Sequence, residues 1–399
     1  MSQITLDKIY HASYVLKDVI RPTDLIFAPK LRSDSNIYLK TENLQVTGSF
    51  KVRGAYYKIS QLSPEEKEKG VIACSAGNHA QGVALAAAKS GIKSLICIPE
   101  GAPISKVEAT KSYGATVELV KGAYDDAYKR AMKIQKESGA TLIHPFDDDL
   151  VIAGQGTIGI EILDKLPEVD SIVVPVGGGG LISGVAFAAK MLKPEIKIYG
   201  VQAAGAASME KSIKAKSINT LPYVRTIADG IAVKTPGETT FELVSKYVDD
   251  VVTVTEDEIS SAILMLMEQH KLVTEGAGAV AVASVLFGKV PAAGKNVVCL
   301  LSGGNIDVSI LSRVINRGLL NSGRLSTLTI ELMDKPGQLV EVSNIIARHG
   351  ANVISVNHDK AETHMDINAC TLKISMETKN FKHIEEIKQA LIESGLKLV

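Results

Sequence analysis

Between residues 71 and 301 short β-branched runs alternate with Ala-rich or amphipathic stretches of helical length, and this alternation narrows the fold more than any other feature. The runs at 71–74, 94–98, 116–119, 171–176, 197–201 and 296–301 have the continuous apolar character of strands buried on both faces. Stretches such as 80–90, 123–138, 181–192 and 256–268 suit crossover helices. Strands alternating with helices form doubly wound α/β layers, in which ligands sit beyond the carboxyl ends of the strands. The chemistry is therefore to be sought in loops that directly follow strands.

Composition excludes several classes of function. The 399 residues suffice for two or three domains, and 44 basic residues against 44 acidic ones leave no general attraction to nucleic acid or an anionic membrane surface. Cys74, Cys97, Cys299 and Cys370 stand far apart without a C-x-x-C pair, so neither a zinc cage nor a disulfide framework is expected. With no secretory signal pattern at the N-terminus, a cytoplasmic setting is the expectation. The apolar stretch at 172–189 holds Pro175 and a run of glycines, and reads as strand, loop and helix rather than a membrane span.

Glycine marks the functional loops. The run Gly177-Gly178-Gly179-Gly180-Leu181 ends a strand and opens a helix, where converging backbone N–H groups and the helix dipole hold a phosphate. It lacks the G-x-G-x-x-G spacing and the following acidic residue of a dinucleotide site. Ser75-Ala76-Gly77-Asn78-His79 makes a second strand-to-helix turn, suited to a carboxylate, and Ser302-Gly303-Gly304-Asn305 ends an apolar strand with a hydroxyl. In Thr47-Gly48-Ser49-Phe50-Lys51-Val52-Arg53-Gly54, Lys51 lies at the approach to a helix, where the dipole lowers its pKa and favours the neutral amine that Schiff-base chemistry needs. A phosphate cradle, a carboxylate-sized loop, a reactive lysine and a hydroxyl together describe a pyridoxal-phosphate site.

With Gly154-Gln155-Gly156-Thr157-Ile158-Gly159 and Thr274-Glu275-Gly276-Ala277-Gly278, these segments closely resemble the threonine ammonia-lyase family, fold type II (tryptophan synthase β-like) pyridoxal-phosphate enzymes. The resemblance spans residues 1 to about 318 in the expected order and implies two doubly wound α/β lobes, the smaller at about 50–149 inserted in the larger. It implies that Lys51 carries the cofactor and acts as the base at the substrate Cα, with Phe50 beside the ring. It further implies Asn78 on the ring oxygen, residues 177–181 on the phosphate, Ser75, Ala76, Gly77 and His79 on the substrate carboxylate, and Ser302 facing the pyridine nitrogen. A neutral hydroxyl there makes the ring a weaker electron sink and favours prompt loss of the β-hydroxyl. The implied reaction is deamination of L-threonine to 2-oxobutanoate and ammonia, with L-serine as a further substrate.

Serine racemases of this fold carry a second Ser where this chain has Ala76, which opposes racemisation. Related metal-binding members have acidic residues where this chain has Gln202 and Ser208, so no metal is expected. Glu275 reads either as a cofactor neighbour or as an exposed helix-start residue. Rival readings are a serine-preferring dehydratase, a β-replacement enzyme, opposed by the 76–79 sequence and the tail, and a silent amino-acid sensor, opposed by Lys51.

Beyond a polar break at 319–324, expected as a linker, residues 325–399 read as strand, helix, strand, strand, helix, strand, the ferredoxin-like order. This unit resembles an ACT domain through Asp334-Lys335-Pro336-Gly337-Gln338-Leu339 and His349-Gly350-Ala351-Asn352-Val353. The resemblance implies amino-acid regulation, by isoleucine or another amino acid, held by Pro336, Gly337, Gln338 and Leu339 with Asn352 across the cleft. Family habit implies a homotetramer or homodimer.

Overall fold

The computed structural model describes residues 2–360 and 368–399. They divide into two compact units, Met1–Ile310 and Leu311–Val399. In the first unit a six-stranded sheet runs Leu25–Phe27, Asn36–Lys40, Asn296–Leu300, Ser171–Pro175, Lys197–Ala203 and Asp250–Val254 across its width, parallel except for the first pairing. A four-stranded parallel sheet runs Thr116–Val120, Ser94–Pro99, Val71–Cys74 and Thr141–Leu142. Every strand of this smaller sheet falls in the chain between Lys40 and Ser171.

Strand order fixes where a ligand can sit. From Ser171–Pro175 the larger sheet grows one way through Lys197–Ala203, while Asn296–Leu300 lies on the other side. From Val71–Cys74 the smaller sheet grows through Ser94–Pro99, while Thr141–Leu142 lies opposite. Both reversals open a crevice at the carboxyl ends of these strands. The loops that leave there are 75–77, 143–148, 176–179 and 301–307.

The apolar stretch at 172–189 is the end of one strand, a glycine turn and most of the helix Gly180–Leu192. No described helix is long and apolar enough to cross a membrane. Its strand and helix bury Ile172, Val174, Ile182 and Val185 in the core of the larger lobe. All four cysteines are free and buried.

The helix Lys51–Ser60 packs on Asp149–Lys165 at unusually close range. A Cβ on Gly154 would lie 2.6 Å from Gly54 Cα, so only glycine permits this approach. Part of the family-like segment at 154–159 therefore serves helix packing. It also brings Arg53 and Glu161 together: the fully buried Arg53 guanidinium donates to Glu42 at 2.8 Å through both Nε and Nη2, and to Thr157 Oγ1 at 3.0 Å. Glu161 accepts from Arg53 at 2.5 Å and from the buried Lys40 ammonium at 2.6 Å.

Of the segment expected as a linker, 319–321 end the amphipathic helix Val308–Asn321 and 322–324 form the turn into the next strand. In the second unit Leu325–Met333, Asn352–Asp359, Ala369–Glu377 and Lys397–Leu398 form an antiparallel sheet, with Ala369–Glu377 and Leu325–Met333 in the middle. Its core gathers Ile330, Leu372 and Ile374 from the sheet with Val342 and Ile346 from Gln338–Arg348 and Ile387 and Leu391 from Phe381–Glu393.

Candidate active site

Lys51 is the first residue of its helix, and its half-buried ammonium donates to Pro145 O at 2.8 Å in the loop after Thr141–Leu142. Phe50 lies beneath it, with Nζ 5.2 Å from the ring centroid. Burial lowers the Lys51 pKa to about 8, against the opposing pull of the Glu275 carboxylate. Removal from water, rather than the helix dipole alone, thus makes the neutral amine accessible.

The residue after Pro145 reaches the glycine run. A Cβ on Gly178 would lie 2.4 Å from the Phe146 ring, and one on Gly180 would lie 2.7 Å from Phe146 O. The same short loop therefore joins Lys51 to the glycine cradle. Gly179 has φ of 100°, a left-handed turn that glycine adopts without strain. Ser183 N–H bonds back to Gly179 O at 2.9 Å, while the N–H groups ahead of it have no acceptor within the helix. These donors converge at the positive end of the dipole and fit a phosphate.

Asn78 sits between the lobes. Its Nδ2 donates to Glu275 Oε1 at 2.7 Å, and its Oδ1 accepts from Asn305 Nδ2 at 2.8 Å, leaving the second amide hydrogen for a ligand oxygen. Glu275 is buried, which decides against the exposed helix-start reading, and it immediately precedes Gly276–Leu286 without a side-chain bond to that helix's N–H groups. Burial, reinforced by Asp229, raises its pKa to about 7, while the Asn78 hydrogen bond and the charges of Lys106 and Lys51 oppose the rise.

Ser302 Oγ makes a long 3.3 Å contact to Ala277 O, which leaves the hydroxyl free to turn toward a ring nitrogen. Its carbonyl accepts from Phe50 N–H at 3.1 Å, and Gly304 N–H donates to Gly48 O at 2.8 Å, so this turn is stitched to the Lys51 segment. Ser75 Oγ accepts from Gly77 N–H at 3.1 Å, and the helix Asn78–Lys89 starts immediately after. A Cβ on Gly77 would meet nothing within 4 Å, so this turn faces open space. His79 is not a proton carrier at neutral pH: burial, helped by the charge of Lys51, lowers its pKa to about 3, and its Nε2 lies 2.8 Å from Ile143 O.

Lys51, Phe50, Asn78, the glycine run and Ser302 thus converge on one crevice, which Ser75, Gly77 and His79 border. Together the orphan donors, the glycine cradle and the buried amine fit pyridoxal phosphate. Sequence reading missed Pro145, Phe146 and Asn305 as contributors. The first two follow a two-residue strand too short to stand out, and Asn305 had only its place in a glycine turn.

If burial sets the amine, uptake of pyridoxal phosphate by the apoenzyme is expected to accelerate as pH rises through about 8, where Lys51 loses its proton. Stopped-flow absorbance across this range checks it. A rate that stays low until the ordinary lysine range near 10.5 contradicts the burial effect.

In the second unit, Pro336, Gly337, Gln338 and Leu339 line a cavity of about 410 Å³ together with Asp334, His358, Lys360 and Cys370. Asn352 does not join them. It pairs with Glu377 beside Leu325, at the sheet end opposite Met333, and its Nδ2 donates to Glu377 Oε2 at 3.0 Å. A strand of this length separates the two ends by roughly 26 Å.

Comparison with known proteins places these features in context. Residues 16–303 match the family described as pyridoxal-phosphate dependent enzymes, and residues 326–393 match the ACT domain. The chain is 51% identical to an L-threonine ammonia-lyase of Thermotoga maritima over 98% of both chains. Among solved structures it is similar to processed threonine deaminase isoform 2 of Solanum lycopersicum, with 39% identity, a TM-score of 0.74, and coverage of 80% of this chain and 91% of that one. It is also similar to maize serine racemase, with 36% identity, a TM-score of 0.75, and coverage of 80% and 98% respectively.

Proposed function

We propose that this chain, which belongs to the L-threonine ammonia-lyases among the pyridoxal-phosphate dependent enzymes, deaminates L-threonine to 2-oxobutanoate and ammonia, using Lys51 as its proton acceptor. The observation that carries this reading is the half-buried Lys51 amine, depressed toward neutrality and joined by Pro145 and Phe146 to the glycine cradle. Residues 177–181 would hold the cofactor phosphate, Asn78 a ring oxygen and Ser302 the pyridine nitrogen, with Phe50 beside the ring. When bound there, the cofactor supplies a group that takes the substrate amine and a conjugated ring that draws electrons from Cα.

Ser75, Ala76, Gly77 and His79 bring the N-terminus of Asn78–Lys89 to the substrate carboxylate, which turns the Cα hydrogen toward Lys51. Neutral Nζ accepts that proton, and the resulting ammonium returns it to the β-hydroxyl, which departs as water. Hydrolysis of the released enamine then gives the 2-oxo acid and ammonia. Ser302 remains a neutral partner, so no carboxylate stabilises charge at the ring, and elimination outruns reprotonation at Cα.

Accumulation of 2-oxobutanoate from L-threonine, measured by coupled reduction, tests the reading, with L-serine assayed alongside. Release of a 2-oxo acid from L-serine but not from L-threonine would assign a serine dehydratase, and release from neither would remove the lyase reading.

The second unit, on this reading, regulates the first by taking an amino acid in the cavity of Pro336, Gly337, Gln338 and Leu339, with the carboxylate on the amides that open Gln338–Arg348. Calorimetric titration with single amino acids, isoleucine first, should give saturable heat. Silence from all of them at millimolar concentration contradicts the sensor role. We place the enzyme in the cytoplasm as a homo-oligomer, as the ACT domain and the free, buried thiols favour.

A further inference from the structure

The sheet of the second unit brings together three side chains that the sequence keeps apart. Asp334 follows Leu325–Met333 directly, and its N–H donates to Asn368 O at 2.8 Å. Cys370 lies opposite Leu332, buried on the face that carries Leu372 and Ile374. His358, on the edge strand Asn352–Asp359, stands opposite Leu372 and therefore on the same face as Cys370, one diagonal step away. One ligand atom from each of the three lies within 4.8 Å of the others, and all three residues line the 410 Å³ cavity.

We propose that Asp334, His358 and Cys370 form a binding site for a divalent transition metal of the zinc class, with one coordination position open to the cavity. A thiolate, an imidazole and a carboxylate suit zinc or cobalt, whereas magnesium and calcium select oxygen donors alone. Tetrahedral bonds of about 2.0–2.3 Å set ligand atoms roughly 3.3–3.8 Å apart, so the group needs to close by about an ångström at most. Asp334 and His358 lie at the surface and can rotate, while buried Cys370 stays fixed. The present partner of Asp334 is the Lys360 ammonium at 2.8 Å, which the metal displaces. Sequence reading expects no metal because the cysteine has no ligand-like neighbour in the chain; strand register supplies the neighbours. The site is independent of the catalytic reading, since it uses none of the catalytic unit's residues.

The test is cobalt titration of the full-length holoenzyme after chelator treatment, read as a difference spectrum against the metal-free protein. One equivalent per chain is expected, with a thiolate-to-cobalt charge-transfer band that zinc abolishes. Cys370→Ser should lose the band, and His358→Ala should weaken binding by roughly tenfold or more. Lys360→Met should tighten binding, because it removes the cation that competes for Asp334, an effect that a purely structural cluster does not produce. Cys370 is in the core, so if its variant fails to fold, the two surface variants decide. A wild-type protein without the band, His358→Ala titrating like wild type, or Lys360→Met binding no tighter would each overturn the proposal.

Discussion

Replacing Lys51 by alanine is expected to lower threonine turnover by at least ~10³-fold while leaving the fold intact. On the proposed reading the side chain supplies the amine that receives the Cα proton, and a positioned base alone contributes ~10²–10⁴-fold. The covalent bond to the cofactor proposed for it would add to that. Alanine is well tolerated in a helix, and the position is half-buried, so no large cavity opens. Loss of the hydrogen bond to Pro145 O frees one loop carbonyl and little else. The check pairs initial rates with the urea unfolding midpoint. Turnover within about tenfold of wild type, at an unchanged midpoint, contradicts the assigned role.

Arg53→Ala is expected to destabilise the first unit by about 3–5 kcal/mol, because it strips the partner from a buried carboxylate. Arg53 and Glu42 are both fully buried and meet at 2.8 Å, and Glu161 closes the cluster at 2.5 Å. Burial alone would lower the Arg53 pKa, but Glu42 and Glu161 outweigh it and hold the guanidinium above its ordinary value. The guanidinium therefore stays charged throughout the working pH range. Without Arg53, the Glu42 carboxylate keeps a hydrogen bond from Thr23 Oγ1 at 2.5 Å but loses the cation that donates to both of its oxygens, and the buried Lys40 ammonium, bonded to Glu161, makes no hydrogen bond to it. Urea denaturation reads the loss directly. A companion variant, Arg53→Met with Glu42→Leu, should recover much of it, since a well-packed apolar pair replaces a buried ion pair at little cost. An unchanged midpoint in Arg53→Ala contradicts the cluster's importance.

Arg53 also shows what sequence could and could not reveal. It stands in the same motif as Lys51, yet its role depends on Glu42 and Glu161, which are brought near by the Gly54 and Gly154 approach. Spacing along the chain does not encode such a meeting. The parallel strands with strong β-branched runs, such as 71–74 and 171–176, were legible because burial on both faces leaves a continuous apolar signal. Strands Leu25–Phe27, Asn36–Lys40, Thr141–Leu142 and Asp250–Val254 were not. Two are very short, and the other two mix charged or polar residues with apolar ones. Missing Thr141–Leu142 also hid Pro145 and Phe146, which leave from its end. The glycine run and Lys51 stood out in the sequence because their residue types suit an anion and a Schiff base, and the fold brings them to one crevice. Asn352 misled, because its distance from Pro336 is set by antiparallel register and not by chain order.

Borohydride reduction of the holoenzyme followed by peptide mass analysis bears most directly on the claim that Lys51 carries the cofactor. Reduction should bleach the visible band and leave one pyridoxyl phosphate group per chain, on Lys51. A modification on any other lysine, or none at all, would contradict it.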